Sequence, residues 1–84
     1  MEYKLVKVEW EDSRQPISEW QFLEDLTLLD PVKCITVGYL IKDGETHVCI
    51  CQSIGDHKED MQVLGIITIP SSCISKITNL QEVK

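Results

Sequence analysis

The chain is poor in aromatic and basic residues, and it has no long apolar run. Its 84 residues include two Trp, two Tyr and one Phe, and 8 Lys and Arg stand against 14 Asp and Glu. A formal charge of −6 repels the phosphate groups of nucleic acids, so a nucleic-acid partner is not expected. Since a membrane-spanning helix needs about 20 apolar residues in a row, no membrane partner is expected either.

Motifs that mark enzymes and metal sites are also missing. There is no C-x-x-C pair and no G-x-S-x-G segment, and the four glycines are too scattered for a phosphate-binding loop. The first residues, Met1 to Lys4, have no signal-peptide character, so we expect a cytoplasmic protein with reduced thiols. We therefore predict no catalytic residue, no cofactor and no metal. The four cysteines lie in apolar, strand-like runs: Cys34, Cys49, Cys51 and Cys73.

Two weaker patterns leave chemical alternatives open. His47, Cys49 and Cys51 alternate along one strand and share a face, where zinc is one alternative. Neighbouring side chains on one strand converge poorly on a single ion, so packed thiols are favoured. His57 lies among acidic residues and could act as a base or help to bind a cation, but a solvated loop is the favoured interpretation.

Alternating and β-branched residues predict most of the chain to be strands. Tyr3 to Trp10 alternates apolar and polar residues, and Cys34 to Gln52 reads as a hairpin around Asp43-Gly44. Gln62 to Ile69 predicts another strand, and Cys73 to Ile77 a short last element.

One helix is predicted between the first two strands, from Ser18 to Leu29. Ser18 and Gln21 form a capping box, and Asp30-Pro31 ends the helix. The expected fold is therefore mainly β with one helix, in the order β-α-β-β-β-β, in a single domain of residues 1–84. The apolar stripe of the helix consists of Phe22, Leu26 and Leu29.

Central glycines in two strands predict a strongly bent sheet, closed into a small SH3-like or Sm-like barrel. These residues are Gly38 and Gly65. The strand from Cys34 to Lys42 is apolar on both faces, so both faces need cover, from the helix or from another subunit. A chain of this size has difficulty covering both, which predicts a homo-oligomer.

Two tryptophans flank a polar loop and form the candidate ligand site. Aromatic faces stack on ring systems, and arginine binds phosphate groups, so a small nucleotide-like ligand is the predicted class. The alternative is that both tryptophans only complete the core. The predicted ligand-binding residues are Trp10, Asp12, Ser13, Arg14 and Trp20.

Several segments resemble a family of short, largely uncharacterised proteins encoded by phages and prophages, and the resemblance implies a phage origin. A weaker resemblance links the expected barrel to Sm-like (Hfq-type) proteins, which assemble into rings, although their basic RNA-binding signature is absent here. The segments that carry the phage resemblance are Trp10-x-Asp12-Ser13, Trp20, Val37-Gly38-Tyr39-Leu40, Gly55-Asp56 and Gln62-x-x-Gly65-x-Ile67-x-Ile69-Pro70.

The resulting hypothesis is a non-enzymatic phage accessory protein that acts in the host cell cytoplasm. It self-associates and binds a small nucleotide-like ligand, for instance to sequester a host defence signal, or it binds a host protein. The alternative is an Sm-like RNA-binding ring protein. A catalyst ranks last among the three.

Overall fold

The computed structural model describes residues 3–26, 28–56 and 58–81, and these form one antiparallel sheet. Its strands lie side by side in the order β4-β3-β2-β1-β5. The mainly β fold is thereby confirmed. The strands are β1 (Leu5–Asp12), β2 (Val32–Asp43), β3 (His47–Gly55), β4 (Gln62–Pro70) and β5 (Ile74–Asn79), with 3₁₀ turns at Leu23–Asp25 and Ser71–Cys73.

The core lies on one face of this sheet and is built from small β-branched side chains. Alternation along β1 places Val6 and Val8 there, both 0% exposed, because successive side chains of a strand point to opposite faces. The other members of this cluster are Val48, Ile50 and Ile69. Half-buried residues pack around it: Trp10, Leu40, Ile67, Cys73, Ile74 and Ile77.

Strands β2 and β3 approach each other closely at Gly38. A Cβ atom on Gly38 would lie 2.5 Å from Ile50 Cγ2 and 2.6 Å from the backbone oxygen of Cys51. The register between these strands also shifts between Leu40 and Lys42. This close approach depends on the missing side chain of Gly38, and a sharp bend at this residue stays a prediction.

The predicted barrel is not confirmed, because the sheet is open. Strands β4 and β5 are its two edges, and no pairing joins them in the described part of the chain. Gly65 has a positive φ of +69°, which glycine adopts without strain, but the two edges of the sheet remain unpaired. A barrel needs that last pairing, since closure is what removes the free edges.

The hairpin between β2 and β3 exists, but the predicted turn is wrong by two residues. Asp43 pairs with Val48, and the Gly44 N–H donates to the His47 carbonyl at 3.1 Å, so Glu45 and Thr46 form the turn. Positive φ angles occur at Asp56 and Gly65, not at Asp43 or Gly44. Register is set along the whole strand by which side chains reach the core, and this outweighs a local turn preference.

The predicted helix from Ser18 to Leu29 is not confirmed either. A single 3₁₀ turn, Leu23–Asp25, occupies this region, with the Asp25 N–H donating to the Phe22 carbonyl at 3.0 Å. Short helices are marginal on their own and gain most of their stability from packing an apolar face. The apolar side chains of this segment pack against little, since the large ones are 39% to 105% exposed.

The chain is far more extended than a folded monomer of its size. It exposes 7338 Å², whereas a monomer of 9.6 kDa exposes about 5,100 Å². Its radius of gyration is 17.3 Å, against about 12 Å for a compact domain of this length. In the described residues, no helix has both the length and the apolar character needed to cross a membrane.

Candidate functional site

A cleft of about 470 Å³ lies at the Trp10 end of the sheet. It lies where the pairing of β1 with β5 shifts register, between Glu9 and Trp10. The Trp10 indole packs against the core, and its Nε1–H donates to Thr36 Oγ1 at 3.0 Å. This volume is typical of small-molecule sites. The lining residues are Glu9, Trp10, Glu11, Lys33, Cys34, Ile35 and Ser75.

The cleft combines an aromatic edge with charges of both signs. Glu11 and Lys33 are register partners, so side chains of opposite charge lie on the same face of neighbouring strands, where such pairs are favourable. The Ser75 hydroxyl donates to the Glu9 carbonyl at 3.0 Å. Such an arrangement can hold a polar ring compound beside the indole.

The predicted ligand-binding residues lie in different places. Trp10 lines the cleft and also packs against the core, so neither alternative for this residue is decided. The next residues are exposed: Asp12 Oδ1 accepts from the Ser13 N–H at 2.8 Å, and Arg14 Nε donates to the Asp30 carbonyl at 2.7 Å. Trp20 is 105% exposed, so its indole forms no wall with Trp10 within one chain. Ligand binding by this set stays a prediction.

The residues of the alternative zinc site make other contacts. Nδ1 of His47 lies 2.9 Å from Thr46 Oγ1, Cys49 Sγ lies 3.5 Å from Thr68 Oγ1, and Cys51 is buried. All four thiols are free. Across the ranges that the structure describes, no three His, Cys, Asp or Glu side chains are grouped to hold a metal ion. His57 lies outside the described residues.

The segment between β1 and β2, described at residues 13–26 and 28–31, is exposed and apolar, and we call it the arm. None of its described residues belongs to the core cluster or to the side chains packed against that cluster. Arg14 joins the two ends of the arm through its bond to Asp30. Its exposed large apolar residues are Ile17, Trp20, Phe22, Leu23, Leu26, Leu28 and Leu29.

A second apolar surface lies on the side of the sheet opposite the core, and we call it the outer patch. Register places its members on one face: Leu5 pairs with Tyr39, Tyr39 with Cys51 and Cys51 with Ile66. Ile35 also lines the cleft, so the patch and the cleft adjoin. The exposed members, 38% to 71% exposed, are Leu5, Ile35, Val37, Leu64 and Ile66.

Sequence reasoning found the apolar outer side of β2 and missed the arm as a surface. It assigned the apolar residues of the arm to a packed helix, although exposed tryptophan and leucine side chains at one end of a small sheet are a stronger feature. Searches with family models, among curated proteins and among solved structures found no match for the chain. The resemblances to phage proteins and to Sm-like proteins therefore stay predictions.

Proposed function

We propose that the protein is a non-enzymatic binding protein of phage origin that works as a self-associated assembly. Its partner is a small nucleotide-like ligand or a host protein. The observation that carries this proposal is the excess of exposed surface, about 2,200 Å² above a compact monomer of equal mass.

The composition of the core supports self-association. Its fully buried residues are all small or β-branched, and neither tryptophan is among them. Small domains with a limited core commonly need disulfides, a metal or oligomerisation, and here all four cysteines are free. Association would cover apolar side chains that one chain leaves in water.

The cleft at Trp10 supports the ligand part of the proposal. The indole edge offers a surface for a base or another ring, and Lys33 at the rim offers a cation for a phosphate group. Glu9 and Glu11 in the same lining favour ligands that also carry hydrogen-bond donors. A nucleotide-like molecule meets these requirements with its amino and hydroxyl groups.

The mass of the protein in solution tests self-association. Native mass spectrometry and light scattering across a concentration series should give a multiple of 9.6 kDa. A constant mass of one chain at the highest concentration would overturn the proposal. The same spectra would report a retained ligand as added mass.

Thermal unfolding with a panel of linear and cyclic nucleotides tests the ligand. A ligand at 100 times its dissociation constant should stabilise the protein by about 2.7 kcal/mol. Lys33→Ala should weaken this effect, whereas Lys58→Ala, an exposed lysine outside the cleft, should preserve it. A panel without any shift would contradict the nucleotide class.

Adding single-stranded RNA in the same unfolding experiment tests the alternative of an Sm-like RNA-binding ring protein. Binding that falls steeply as salt rises would favour that alternative over the small ligand.

A further inference from the structure

We infer that the arm of one copy packs against the outer patch of a second copy and forms a helix as it docks. This inference rests on the proposed self-association and names the two surfaces that meet. Both surfaces are apolar, both are exposed within one chain, and neither covers the other there.

The excess of exposed surface over a compact monomer is large enough for a stable interface. If each of two copies covered its excess of about 2,200 Å², the interface would bury about 4,400 Å², within the class of obligate homodimers. A weak or transient contact needs far less area. The exposed side chains of the arm include Trp20 and Phe22, and aromatic residues are the common anchors of interfaces.

The sequence of the arm is typical of a helix that docks on an apolar surface. Two features of the arm predict an amphipathic helix. They are the capping box of Ser18 and Gln21 and the apolar stripe of Phe22, Leu26 and Leu29. In the single chain this helix has no surface to pack on, and the segment forms one 3₁₀ turn. A helix that forms on binding pairs such a stripe with an apolar surface.

The charges of the two surfaces are complementary. The arm carries four carboxylates and one guanidinium group, a formal charge of −3. The outer side of β1, β2 and β5 carries more lysines than carboxylates, which favours an acidic arm there. Register places these residues around the patch: Lys7, Lys33, Lys76, Glu9 and Glu11.

We assign a second copy of the chain as the partner that covers the outer patch, because of the position of the arm relative to its own sheet. Arg14 and Asp30 hold its two ends together, and its large apolar side chains remain 39% to 105% exposed instead of covering its own patch. If two copies exchange their arms, each arm can dock on the patch of the other copy without turning back toward its own sheet. The exchange would also bring Trp20 of one copy near Ile35, which lines the cleft of the other.

Charged substitutions on each surface test the inference. Phe22→Glu in the arm and Val37→Lys in the patch should each raise the dissociation constant of the assembly by about 30-fold or more, the effect typical of an interface anchor. Gln15→Glu, an exposed polar position of the same arm, should leave it unchanged. Both test residues are more than half exposed, and circular dichroism would verify that the sheet remains folded.

Mixing the two variants provides the decisive result. A Phe22→Glu chain and a Val37→Lys chain together form one native arm-to-patch contact and one Glu–Lys contact, so the mixture should assemble although neither variant does alone. Helical circular dichroism should fall on dilution as the mass falls.

The outcomes separate this inference from the proposal beneath it. A single-chain mass for the unmodified protein overturns both. An assembly that persists in both variants, or one whose mixed variants show no rescue, overturns the inference and leaves self-association standing. In that result the free edges β4 and β5 become the surfaces to test.

Discussion

Replacement of Gly38 by alanine should destabilise the protein strongly, whereas the same replacement at Gly55 should not. The added methyl group would lie 2.5 Å from Ile50 Cγ2 and 2.6 Å from the Cys51 backbone oxygen, where carbon contacts normally measure about 3.5–4.0 Å. Ile50 is 1% exposed and the oxygen belongs to the neighbouring strand, so neither can move alone.

The cost should lie at the upper end of the range for overpacked cores, about 3 kcal/mol. For a chain of 84 residues this corresponds to a decrease in melting temperature of about 12–24 °C. Because self-association couples stability to concentration, urea denaturation followed by circular dichroism should use one fixed protein concentration.

Two other glycines provide matched controls. A Cβ atom on Gly55 would have its nearest neighbour, the Gln62 backbone oxygen, at 3.9 Å, so Gly55→Ala should be neutral or stabilise by up to about 1 kcal/mol. Gly65→Ala should cost at least about 1–2 kcal/mol, because its φ is +69° and the added Cβ atom would lie 2.9 Å from Gln52 Cβ. Equal stabilities for the Gly38 and Gly55 variants would refute the close approach of β2 to β3.

Two hydroxyl groups give further tests by the same denaturation assay. Thr36→Val removes the acceptor of the Trp10 indole N–H and should cost about 1 kcal/mol, whereas Thr68→Val, at an exposed position, should change stability by less than about 0.5 kcal/mol. Thr78 Oγ1 is buried and has no hydrogen-bond partner within the described ranges, so Thr78→Val should be neutral or stabilise by up to about 1 kcal/mol. A clear loss of stability in that variant would show that the hydroxyl has a partner.

The strands could be predicted because buried residues alternate with exposed residues along them. Val6 and Val8 alternate with charged residues in the sequence, and both are fully buried in the sheet. The turn at Asp43-Gly44 could not be predicted in the same way, because the β2–β3 register includes a shift between Leu40 and Lys42. A local dipeptide preference contains no information about such a shift.

The cleft at Trp10 shows a different limit. Trp10 was predicted as a ligand-binding residue from its type and position, and it lines a cleft, but Lys33 and Ser75 in the same lining come from β2 and β5. Only the strand order of the open sheet brings these residues beside Trp10. The sequence predicted a closed barrel, in which the order was not known. Candidate residues near each other in sequence are therefore easier to name than those assembled across strands.

The failed helix and the apolar outer strand have one explanation. The helix signals at Ser18 and Phe22 are local. They indicate that the segment forms a helix when its apolar face is covered. Ile35 and Val37 on the outer face of β2 are exposed in one chain, so the predicted cover of that face stays a prediction. One chain contains a helix sequence without a surface and an apolar surface without a cover. Since each supplies what the other lacks, the same contact between two copies would resolve both, and the experiment with mixed variants measures that contact directly.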